Sequence, residues 1–128
     1  MQKEELKSML EEYWYDNQYL KEKAKEVESM DLLIRSGKGS DFIVSTKKYE
    51  ESEMSKIIEK KKHIEGLFQK LNQPYRTIMY MKYITFLTFD QIADRMSYST
   101  KRIYQLHSEA IMLLLRSINE PTPNISTN

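Results

Sequence analysis

The spacing of apolar side chains in the N-terminal half restricts the fold of this chain more than any other feature. From Leu6 onward, apolar or semi-polar residues recur at Leu10, Tyr13, Asn17, Leu20, Ala24, Val27 and Ile34, mostly alternating steps of four and three. That period gathers them on one stripe of a long helix, the seam of a coiled-coil-like pair. The stripe stops at Ser36-Gly37-Lys38-Gly39-Ser40-Asp41, where two glycines and short polar side chains favour a turn. Phe42-Ile43-Val44 reads as a short extended stretch or as a cap over the loop. Glu50, Met54, Ile57, Lys61, Ile64, Phe68 and Leu71 then restore the spacing in a second long helix.

Two such helices joined by a loop of about ten residues can return antiparallel and bury their stripes as an αα-hairpin. Two stripes make a thin core and leave Met9, Trp14 and Met30 uncovered. A further helix or a second copy of the chain is therefore expected, and a homodimer follows as the assembly. Asn17 falls on the seam, either as a buried amide that selects register or oligomer state, or at a margin in contact with water.

Asn72-Gln73-Pro74 breaks the pattern, because proline disfavours helix in the residue before it yet suits the first turn of a new one. Three shorter helical segments follow, at residues 74–84, 88–96 and 99 to about 118. Thr88-Phe89-Asp90-Gln91 has capping-box form and Ser99 is placed to cap the third segment. The expected fold is all-α: a helical hairpin over residues 1–72 for assembly or partner contact, a helix-turn-helix domain over 73–118, and a flexible tail over 119–128.

The formal net charge of +1 is unevenly distributed. Residues 1–72 carry 14 Lys and Arg against 15 Asp and Glu, while residues 73–118 carry six basic residues against three acidic ones. A C-terminal segment of about +3 is compatible with phosphate contacts. The chain has no cysteine, and its two histidines, His63 and His107, lie far apart, so neither a disulfide framework nor a zinc site is expected. No stretch approaches the roughly 18 apolar residues of a membrane span, and the first residues are too acidic and polar for a secretory signal. A cytoplasmic protein without membrane contact is expected.

In the run from Asp90 to Leu106, Ala93 is small where two helices would cross, Ser97 occupies a turn position often taken by glycine, and Ile103 and Leu106 face back onto the preceding helix. This leaves Thr100, Lys101, Tyr104, Gln105 and Ser108 on the outer face. Their side chains can hydrogen-bond base edges or hold phosphates in a major groove.

These residues resemble the region-4-like helix-turn-helix of bacterial sigma factors, in the version found in phage late-gene transcriptional regulators of the ArpU and RinA kind. The likeness covers roughly residues 71–116. It rests on Pro74-Tyr75-Arg76, Met81-Lys82-Tyr83, Gln91-Ile92-Ala93, and Ser99-Thr100-Lys101-Arg102-Ile103-Tyr104-Gln105-Leu106 followed by Ala110. Phe86 departs from it, standing where the family's inter-helix turn often has a small or polar residue. The resemblance implies double-stranded DNA as partner, with Thr100, Lys101, Tyr104 and Gln105 facing bases and Ser99 and Arg102 nearer the backbone. It also implies action at late phage promoters, in the host bacterial cytoplasm, with RNA polymerase or another regulator as a protein partner. An interaction module that binds such a protein without reading DNA is the alternative.

Other conspicuous segments have plainer readings. The cluster around Trp14 lacks interleaved basic residues, so helix contact is expected over stacking on single-stranded nucleic acid. Lys60-Lys61-Lys62-His63 is flanked by Glu59 and Glu65 and reads as a solvated face. Ser36-Gly37-Lys38-Gly39-Ser40 lacks the first glycine and the final hydroxyl residue of a phosphate-binding loop. Asn124-Ile125-Ser126 fits a glycosylation acceptor, but no export signal accompanies it. Ile111 to Leu115 is apolar all round; Leu106, Ala110 and Leu113 are expected in the local core, with Ile111, Leu115 and Ile118 left for the hairpin or another subunit. No nucleophile, base and orienting acid occur together, so neither enzymatic activity nor a cofactor is expected.

Overall fold

A computed structural model describes residues 1–120 as five helices: α1 (Lys3–Arg35), α2 (Asp41–Gln69), α3 (Tyr75–Tyr83), α4 (Phe89–Met96) and α5 (Thr100–Asn119). No strand occurs among the described residues, and none of these helices is long and apolar enough to cross a membrane. The chain is all-α with a long N-terminal helix, as the four-three spacing predicts. Of the expected tail, Asn119 ends α5 and Glu120 caps it; the remainder lies outside the described residues.

Two compact units form, residues 15–63 on one hand and residues 1–14 with those from 64 onward on the other. Pro74 does separate α2 from α3, but the helix break at residue 73 is not a break in packing. The first turns of α1 and the last turns of α2 belong with α3, α4 and α5.

The unit of residues 15–63 is a two-helix hairpin in which no residue is fully buried. Asn17, Leu20, Val27 and Ile34 are only half-buried, because each meets one neighbouring helix. Ion pairs join the legs: Lys60 to Asp16 at 3.2 Å, Lys23 to Glu50 at 3.0 Å and Lys47 to Asp31 at 3.4 Å. The bonded Asp16 and Glu50 oxygens are closed off from solvent, so losing either lysine would strand a carboxylate. The Glu50 carboxylate in turn raises the Lys23 ammonium above its ordinary value, more than burial lowers it.

The hairpin turn is shorter than the spacing predicts. Gly37 takes φ +80°, and the Gly37 and Lys38 amides donate to the Ile34 and Leu33 carbonyls at 3.1 and 2.8 Å, the paired bonds of a Schellman motif. At Gly39 an added Cβ would stand 2.6 Å from Ile34 Cγ1 and 2.8 Å from its Cα, so only glycine passes there. The Ser40 hydroxyl accepts from the Ile43 amide at 3.2 Å and starts α2 immediately. Phe42-Ile43-Val44 is therefore helical, neither extended nor a cap.

The second unit has two cores. In one, Leu6, Leu10 and Tyr13 from α1 meet Ile64, Leu67 and Phe68 from α2, Met79 and Tyr83 from α3, and Ala110, Ile111, Leu114 and Leu115 from α5. Tyr13 also donates its hydroxyl hydrogen to Glu65. In the other, Ile78, Ile92, Ala93, Ile103 and Leu106 close α3, α4 and α5 on each other. Ile111 and Leu115 do reach the hairpin ends, whereas Leu114 takes the inward place expected of Leu113, which is 37% exposed. Arg76 donates from Nε to the Leu71 carbonyl at 3.0 Å and from Nη2 to that of Gln69 at 3.1 Å. It thus serves the carboxyl end of α2, whose last turn has no basic residue of its own.

Candidate nucleic-acid interface

The segment from α4 to the start of α5 is defined by its caps. At the start of α4, the Thr88 amide donates to Gln91 Oε1 at 2.9 Å and the Gln91 amide to Thr88 Oγ1 at 3.1 Å, a complete capping box. At its end, Ser97 adopts φ 59° and ψ 38°, and the Ser97 and Tyr98 amides donate back to the Asp94 and Ala93 carbonyls. This is a Schellman ending with serine in the left-handed place that glycine occupies at least cost. Ser97→Gly is expected to stabilise the unit by roughly 0.5 to 1 kcal/mol and Ser97→Val to destabilise it by more, as read from urea midpoints. Ser99 then caps α5, its hydroxyl accepting from the Arg102 amide at 3.1 Å.

All seven residues singled out from the sequence lie on the first half of α5 or its cap, but they are not equally available. Thr100 donates its hydroxyl hydrogen to Asp90 Oδ1 at 2.9 Å and so ties α5 to α4. Tyr104 leans on Phe89, ring centroids 4.4 Å apart and planes inclined by 34°, yet stays half exposed. Arg102 reaches Gln105 Oε1 at 3.3 Å and Glu109 Oε2 at 4.0 Å. Lys101, Gln105 and Ser108 are exposed. The basic surplus is partly spent as well. Arg76 holds α2 carbonyls, and the Lys82 ammonium sits 4.3 Å from the centre of the Phe89 ring.

The sequence reading missed what stands beside this face. Glu4, Lys7, Ser8 and Glu11 of α1 border a cleft of about 560 Å³ whose other wall carries Lys82, Phe89, Tyr104 and Ser108. These α1 residues fall at i, i+3, i+4 and i+7 next to the buried stripe, which identifies a helix face but not its neighbour. At the back of the cleft Tyr83 and His107 are hydrogen-bonded, Oη to Nε2 at 2.7 Å. Burial pushes the Tyr83 hydroxyl up to about 12 and the His107 imidazole down to about 4, the latter helped by Lys7, Lys82 and Lys3. Neutral His107 and Tyr83 share this bond, the imidazole tautomer deciding which of the two donates. Phe86, in the α3–α4 connection, has φ 60° and meets Trp14 edge-on at 6.4 Å; both rings remain partly exposed.

Among the described residues no group of three or more His, Asp or Glu side chains is placed to hold a metal ion. The family model described as a protein of unknown function (DUF1492) matches residues 40–115, more than half of the chain. No curated protein and no solved structure matches it. The chain belongs to the DUF1492 family.

Proposed function

We propose that this protein is a sequence-specific regulator of transcription that binds double-stranded DNA as a homodimer in the cytoplasm. The reading is carried by one observation: Lys101, Gln105 and Ser108 stand exposed on the first half of a helix whose start is fixed by a capped, left-handed turn. Such a helix can lie in a major groove with its early residues at the base edges. Lys101 supplies a cation for a guanine edge, Gln105 an amide for an adenine edge, and Arg102 is near enough to the helix start to follow the backbone. The resemblance to phage late-gene regulators directs the activity to late promoters, as an activator.

Two copies are required by charge. With Arg76 and Lys82 engaged, one domain offers few cations to phosphate, and specific sites combine several phosphate contacts with base contacts worth about 1 to 3 kcal/mol each. In a gel shift at low salt with DNA flanking the gene and no polymerase, the purified protein is expected to bind. Lys101→Ala with Gln105→Ala should weaken that binding by about tenfold or more per copy while circular dichroism stays the same. Retained binding by the double variant removes the reading face. A protein that binds only when polymerase is added is an interaction module instead.

A further inference from the structure

The second half of α5 has two apolar sides. Ile111, Leu114 and Leu115 are buried in the core, while Met112 and Leu113 point away from it, 56% and 37% exposed. Met112 and Leu113 border a groove of about 350 Å³ with Tyr75 of α3. Glu109 and Arg116 bracket the same groove, one acidic and one basic, each three residues from the nearer member of the Met112–Leu113 pair. Glu109 accepts the Tyr75 hydroxyl at 2.7 Å, whereas Arg116 makes no ion pair among the described residues.

We propose that this face is the two-fold contact of the homodimer, with a second copy of α5 as its occupant. The charge pattern selects that occupant. An antiparallel pair crossing at Met112 and Leu113 sets Glu109 against Arg116 of the partner subunit and repeats the pair across the dyad, as an isologous interface requires. The groove beside Tyr75 receives the apolar side chains. A parallel pair or a translated one would leave the two charges unmatched.

The same dyad has a consequence for DNA, and this part rests on the reading proposed above. At roughly 100° per residue, the Met112–Leu113 side lies about 80° round α5 from the side of Lys101, Tyr104, Gln105 and Ser108. A dyad running perpendicular to the paired helices therefore turns both reading faces in the same direction. At 1.5 Å per residue, each reading face is centred about 12 Å from the dyad, so the two centres stand about 24 Å apart, while the two Lys101 positions at the helix starts stand about 34 Å apart, the spacing of successive major grooves. One helix pair buries less than the approximately 800 Å² per partner of a standard interface, so the contact is weak in dilute solution and reinforced on adjacent half-sites.

The chain has no cysteine, which makes a single introduced thiol diagnostic. In the full-length protein without DNA, Leu113→Cys, and separately Met112→Cys, should give a disulfide-linked dimer under mild oxidation about tenfold faster than Lys101→Cys, whose thiols would be too far apart. In the Leu113→Cys background, Glu109→Arg or Arg116→Glu alone should slow cross-linking roughly tenfold, and the two together should restore it. Cross-linking at both positions no faster than at Lys101→Cys, or no rescue by the double reversal, overturns the contact. Failed cross-linking with an intact gel shift removes the interface alone; efficient cross-linking with no DNA binding removes the DNA reading and leaves the interface.

Discussion

Phe68→Ala is expected to cost about 3 to 5 kcal/mol, a large share of the 5 to 15 kcal/mol that holds a domain folded. Phe68 is fully buried near the end of α2, in the core to which α1, α3 and α5 also contribute. Its ring meets Tyr80 edge-on at 5.9 Å and Tyr83 at 6.3 Å. Its removal opens a cavity in a core to which four helices contribute. Thermal melting followed at 222 nm should show a fall of roughly 10 to 20 °C. Tyr49→Ala, at a position 62% exposed on the other unit, should change stability by no more than about 0.5 kcal/mol. Equal effects at the two positions would mean that the core does not lie where Phe68 is buried.

The stripe that defines α1 was legible in the sequence, but the fate of its members was not. Leu6, Leu10 and Tyr13 are buried, whereas Asn17, Leu20 and Val27 at the same spacing are half-buried and Ala24 is exposed. Periodicity reports which side chains share a face; burial depends on how many elements cover it. For the same reason Leu113 and Leu114 could not be ranked within an all-apolar run. Caps were readable because their partners are local: Thr88 with Gln91 and Ser99 with Arg102 lie within four residues. Ser40 carried the same signal for α2, and heeding it would have made Phe42-Ile43-Val44 helical. The role of Arg76 at the end of α2 and the wall that α1 gives the cleft depend on tertiary approach. They changed the candidate interface most, by removing a cation from it and bringing Glu4 and Glu11 beside it.

A fall in pH from 7 to 5 should cost the fold about 2 kcal/mol through His107 alone. The imidazole is 7% exposed, is hydrogen-bonded to the Tyr83 hydroxyl at 2.7 Å and stands edge-on to Phe89 at 5.0 Å, buried surroundings that admit the neutral ring and penalise the cation. Burial lowers its folded value to about 4 from an ordinary 6.5, so the unfolded chain takes up the proton first. The stability is fully present above pH 6.5, declines as the pH drops through that value and is lost by about pH 4. At about 1.4 kcal/mol per pH unit the loss by pH 5 is about 2 kcal/mol, reduced to the extent that the neighbouring cleft admits water. His107→Gln separates this from carboxylate titration, since the glutamine carbonyl can accept from Tyr83 but takes up no proton in this range. Whatever its stability at pH 7, the variant should lose about 2 kcal/mol less than the parent between pH 7 and 5 in urea unfolding. Parallel profiles for the parent and His107→Gln would mean that the imidazole is not held neutral. The consequence for the proposed function is specific: charging His107 works against its burial and its packing on Phe89, the ring that supports Tyr104 on the reading face. DNA binding should therefore weaken on acidification in the parent more than in His107→Gln.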